Sequence, residues 1–71
     1  MAGGGRENGL ELYLKRRRIS LAHVARESGL EQSHVWRIVK GQREPGIRSF
    51  KALAVSLRLP MEQLYTFLYP H

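Results

Sequence analysis

The chain has 71 residues, room for a single domain with a small core. It contains no cysteine, which excludes disulfides, thiolate zinc sites and cysteine nucleophiles. Twelve Lys and Arg against six Glu give a formal charge of +6, which favours a polyanionic partner, nucleic acid ahead of a membrane surface, with a merely soluble basic domain as the plain alternative.

Residues 1–8, which include Gly3, Gly4 and Gly5, are expected to be a flexible arm and not a signal peptide, because they hold no apolar stretch. The folded domain is expected over residues 9–69, with 70–71 as its end. From Leu10 the pattern turns helical: Leu10, Tyr13 and Leu14 fall at i, i+3, i+4 on one face. Lys15, Arg16, Arg17 and Arg18 close that first helix, where cations suit the negative end of its dipole. Ser20 is a good N-cap for a second helix, with Leu21, Val24, Ala25 and Ser28 as its inner stripe and Gly29 as its stop.

A third helix is predicted from Gln32 to Lys40, with Glu31 at its cap and Gly41 ending it. After a loop containing Pro45, a fourth runs from about Arg48 to Leu57 and turns Phe50, Leu53, Ala54 and Leu57 inward. Pro60 at a first helical position opens a fifth, with Leu64, Phe67 and Leu68 as its apolar side. No apolar run approaches the roughly 20 residues of a membrane span. His23, His34 and His71 are too scattered for a metal cage, so no metal or cofactor is expected. No catalytic Ser/His/Asp set, carboxylate pair or phosphate-cradling glycine loop is visible, and an enzyme is not expected.

The third helix carries the chemistry. Val35, Ile38 and Val39 define an inner face, while Gln32, Ser33, Trp36, Arg37 and Lys40 fall at i, i+1, i+4, i+5 and i+8 on the other. That outer stripe holds an amide, a hydroxyl, an indole, a guanidinium and an ammonium. Gln reads adenine with two hydrogen bonds, Arg reads guanine with two, and Ser serves either, so these are groups that base edges in a major groove call for. An ordinary solvated face is the bland alternative. An exposed Trp argues against it, although Trp36 has three uses open to it: packing on a thymine methyl or sugar edge, lying over its own helix, or anchoring a protein partner.

The run from Ile19 to Gly41 resembles the helix-turn-helix of the lambda-repressor/Cro-like (XRE-type) regulators. The resemblance lies in Ala25 four residues before Gly29, in Val35 and Ile38 of the next helix, and in Gly41 after it. It continues through Pro45, Leu53-Ala54-x-x-Leu57 and Pro60 to Leu64, and spans about residues 10–68. It implies an all-α, compact five-helix bundle of the lambda-repressor-like DNA-binding type, whose second and third helices form the motif and whose third enters the major groove. It further implies a cytoplasmic, nucleoid-associated transcriptional regulator, a repressor in type, that binds double-stranded DNA as a homodimer. Gln32, Ser33, Trp36 and Arg37 would contact bases. Lys40 and Arg43 would hold phosphates, joined by Ser20 at the start of the second helix and by Arg17 and Arg18 just upstream. His34 beside the stripe is expected to be a surface histidine. Arg6 in the arm is a weaker candidate for a minor groove.

Two positions depart from the family. Leu14 and Val39 stand where many members pair an Arg with a Glu, so an apolar contact is expected in place of the ion pair. Leu21 stands where a phosphate-touching Gln is common, which leaves that contact to the helix terminus. Tyr65 and Tyr69, four residues apart and not needed by the core, are candidates for a homodimer seam or for plain surface tyrosines. The alternative to DNA binding is a protein-interaction module on the same fold, anchored by Trp36 and these tyrosines.

Overall fold

Helix boundaries follow the local sequence closely. The structure, a computed structural model, describes residues 9–69; residues 1–8, where an arm with Arg6 is expected, and residues 70–71 lie outside the described residues. Five helices follow one another: α1 (Gly9–Arg17), α2 (Leu21–Ser28), α3 (Gln32–Val39), α4 (Ile47–Leu57) and α5 (Met61–Leu68). Together they make a compact, all-helical bundle.

Each helix end has an identifiable cause. Ser20 caps α2 as expected: its side-chain oxygen accepts the His23 backbone N–H at 3.0 Å. Gly29 stops α2 in the left-handed region, φ 77°, and its N–H bonds the Ala25 carbonyl at 2.9 Å. Gly41 takes the same conformation after α3 (φ 76°), where Gly41 and Gln42 donate to the Ile38 and Arg37 carbonyls.

Two further stops, those of α1 and α4, use an arginine where α2 and α3 use glycine. Arg18 and Arg58 both adopt φ 57°, a region that L side chains seldom visit. In each case the following residue, Ile19 or Leu59, donates back across the last turn to Leu14 or Ala54 at 2.9 Å and packs on the core. The apolar anchor beyond the turn overrides the backbone preference at the arginine. Dipole-suited cations are therefore only part of what ends α1. Pro60 also sits one place earlier than predicted. It is the cap of α5 (φ −60°, ψ 146°), not its first helical residue, and its carbonyl accepts from Leu64 at 3.1 Å. Its missing N–H is harmless at either place, so the ψ angle alone decides.

The core gathers Leu10 and Leu14 of α1, Val24 and Ala25 of α2, Val35, Ile38 and Val39 of α3, Leu53 and Ala54 of α4, and Leu64 and Leu68 of α5. Tyr13, Leu21, Phe50, Leu57 and Phe67 flank it half-buried. α2 is the hub, packed on α3 and α4; α1 lies on α5, and α4 joins α5 to the hub. α3 thus rests on one side only and leaves the opposite side open. No helix among the described residues is long and apolar enough to cross a membrane.

Candidate functional site

The turn between α2 and α3 presents α3 to solvent. Ser28 Oγ donates to the Ala25 carbonyl and accepts the Leu30 N–H, both at 3.3 Å, so the left-handed Gly29 is clasped from both sides. Leu30 packs on the core and Glu31 enters α3 extended (φ −69°, ψ 144°). Glu31 is the cap residue, as the sequence suggests, but its side chain makes no capping hydrogen bond. Its contribution is charge beside the positive end of the helix.

Val35, Ile38 and Val39 are all buried, none more than 2% exposed. This fixes the opposite face outward. Gln32, Ser33 and Arg37 are exposed, and Trp36 retains 41% of its surface. Among the described residues none of these four side chains enters a hydrogen bond, an ion pair or a ring contact. Trp36 does not lie flat on an aromatic neighbour. The face is a row of unused donors and acceptors beside an indole.

Lys40, expected to hold a phosphate, has a partner within the protein. Helical spacing puts it on the same stripe, yet its side chain folds back to α1 and donates to the Glu11 carboxylate at 2.5 Å. Glu11 is only 7% exposed. A carboxylate this desolvated requires a cation, and Lys40 supplies it, with Lys15 at 4.0 Å on the rim. Leu14 and Val39, where an apolar contact is expected in place of an ion pair, are both buried in the core cluster. An ion pair does join the first and third helices, from Glu11 to Lys40. The sequence carries one hint of it: Glu11 lies between Leu10 and Leu14 on the inner side of α1.

His34 also differs from the surface histidine expected. It is half-buried, and its Nε2 lies 3.2 Å from Ser49 Oγ on α4. Neither side chain was singled out as a pair by the sequence, since 15 residues separate them.

The remaining cations fall in two places. Arg43 is exposed in the loop after α3. Lys15, Arg16, Arg17 and Arg18 are exposed at the end of α1, next to the capped start of α2. The Arg17 guanidinium lies 5.1 Å from the Tyr13 ring centroid, and Tyr13 in turn packs on Phe67 at 5.1 Å. That stacking holds Arg17 along α1 and leaves Arg18 nearer the α2 terminus in sequence. Ser20 uses its oxygen lone pair in capping, and its O–H remains a donor. On α5 and at its C-terminal cap, Tyr65 and Tyr69 pack on each other at 4.9 Å. Burial raises the Tyr69 phenol above its usual value, with smaller contributions from the negative charge of Glu44 and from Tyr65.

No protein-family model matches the chain, and neither a curated protein nor a solved structure does.

Proposed function

We propose that the chain is a sequence-specific double-stranded DNA-binding domain of the lambda-repressor/Cro-like type. α2 and α3 form its helix-turn-helix, and it acts as a transcriptional regulator, a repressor in type, at the nucleoid. The observation that carries this is the face of α3. Gln32, Ser33, Trp36 and Arg37 stand out together with no partner inside the described chain, while Val35, Ile38 and Val39 anchor the helix behind them. Arg37 is assigned a guanine, Gln32 an adenine, and Trp36 and Ser33 the flanking methyl and edge contacts. Arg43, Arg18, Arg17 and Ser20 are assigned phosphates, which position the domain without reading sequence. Lys40 is withdrawn from that set, because its charge is already committed to Glu11.

Titration with random duplex DNA over a range of salt tests this directly. Each phosphate neutralised contributes about −0.9 to the slope of log affinity against log salt, so the three arginines assigned to phosphates predict a slope near −3. No binding at about 50 mM salt would end the proposal. Selection from a random duplex pool then yields the site. A palindrome is expected if two copies bind together. The exposed Trp36, Met61 and Tyr65 favour one other reading, a protein-interaction module on the same fold, which would stand if duplex DNA does not bind.

A further inference from the structure

Apolar packing seats α3 but does not by itself fix its roll. Contacts of Val35, Ile38 and Val39 are non-directional and constrain the helix through shape and volume, not through a bond angle. Hydrogen bonds are directional. Among the described residues two side-chain hydrogen bonds tie α3 to its neighbours, and they do so at opposite ends. Near its start, His34 Nε2 meets Ser49 Oγ of α4 at 3.2 Å. At its C-terminal cap, Lys40 Nζ donates to the carboxylate of Glu11 on α1. The two points lie six residues apart, about 9 Å along the helix at its normal rise. They also reach different neighbours. One tie would leave a pivot; two ties at separate ends fix roll and tilt together.

The chemistry of the second tie makes it stiff. Glu11 is nearly fully buried, so its charge has lost its water and depends on the ammonium brought to it. Lys40 meanwhile sits where the carbonyl end of α3 favours a cation. Neither Glu11 nor Ser49 belongs to the exposed stripe.

We infer that Glu11 and Ser49 are positioning residues for the reading face of α3: by holding Lys40 and His34 they set which way Gln32, Trp36 and Arg37 point, and they touch no DNA themselves. This rests on the DNA-binding proposal for its consequence, but the geometry it predicts can be read without DNA.

The test uses Ser49→Ala and Glu11→Gln in the full chain, each confirmed folded by a cooperative melt. Amide residual dipolar couplings of the free protein give the orientation of α3 relative to α1, and both variants should show it rotated. On DNA, the ratio of selected-site to random-duplex affinity should fall about tenfold in each, the low end of what one bidentate base contact supplies. Random-duplex affinity should stay within about twofold, since no phosphate contact is removed. An unrotated α3 with an unchanged ratio would overturn the inference, and so would a parallel fall of both affinities.

If the unaltered chain binds no duplex, the DNA-binding proposal falls, and the couplings alone decide for or against the clamp. Should Glu11→Gln fail to fold, the double variant Glu11→Leu with Lys40→Met restores packing with apolar groups. Its salt slope should equal that of the parent. A slope smaller by about 1 would mean that Lys40 holds a phosphate after all, and would overturn the assignment.

Discussion

α3 and α5 are alike in size and plan, and differ in what they leave exposed. Each has eight residues, each starts without a side-chain capping bond, and each anchors itself through a short apolar stripe, Val35/Ile38/Val39 in one and Leu64/Leu68 in the other. Each also shows an aromatic to solvent, Trp36 at 41% and Tyr65 at 53%. On α5 the aromatics satisfy one another: Tyr65 packs on Tyr69, and Phe67 on Tyr13. Its one charged side chain is Glu62. On α3 the aromatic stands alone among an amide, a hydroxyl and a guanidinium, with none of them engaged in the described chain. An exposed ring therefore does not mark a site by itself. The mark is an exposed ring among idle hydrogen-bonding groups on a helix held rigidly from behind.

The largest effect that would break this contrast concerns the hold on α3. Lys40→Ala takes from the buried Glu11 carboxylate its close cation and leaves Lys15 4.0 Å away on the rim. Removing one partner of a buried pair costs about 3–5 kcal/mol, and the partial exposure of Lys40 reduces this to about 2–3 kcal/mol. A domain of this size has on the order of 3–5 kcal/mol in all. Urea denaturation should therefore show the variant barely folded. A loss under about 1 kcal/mol would mean that the Glu11–Lys40 pair contributes little to holding α3.

The next effect is on recognition, and it sets the two helices against each other. Arg37→Ala should weaken the selected site by about 1–3 kcal/mol and relax preference at one base pair. Tyr65→Ala, on the opposite helix, should leave binding by one domain to a half-site within about 0.5 kcal/mol. Competition titrations against sites altered at each position read both. Equal losses from the two variants would erase the distinction between the faces. An Arg37→Ala loss that is the same for every sequence would make Arg37 a phosphate contact and leave α3 without its guanine reader.

Much of this architecture is visible in the chain before any coordinates. The i, i+3, i+4 pattern locates all five helices to within a residue or so, and the stops at Gly29 and Gly41 are local events with a local signal. The inner and outer faces of α3 follow from the same periodicity. What the pattern hides is the polar scaffolding. Glu11 and Lys40 are 29 residues apart, and His34 and Ser49 are 15 apart. No local rule links such partners. Helical spacing even misplaces Lys40, because it knows where a Cβ points and not which buried carboxylate waits across the bundle. The linker residues Ile19, Leu30 and Leu59 were likewise invisible as core. They lie outside every helix, yet each packs on the interior where the chain leaves a turn.

The smallest effect separates the two kinds of turn that frame these helices. α3 lies between two left-handed glycines, Gly29 and Gly41, whereas α5 is entered through Arg58 at φ 57°. A left-handed L residue costs about 1–2 kcal/mol, and glycine returns about 0.5–1 kcal/mol of that through the greater freedom of its unfolded chain. Arg58→Gly should thus stabilise the domain by about 0.5 kcal/mol, raising its melting midpoint by about 2–4 °C. Arg58 is the cleaner site for this than Arg18, whose charge stands beside the start of α2 and is assigned to DNA. For Arg58→Gly the DNA affinity should not change. A lowered midpoint would show that the arginine stem, and not the Leu59 anchor beyond it, holds the chain in that turn; the same explanation would then fail for Ile19 after Arg18.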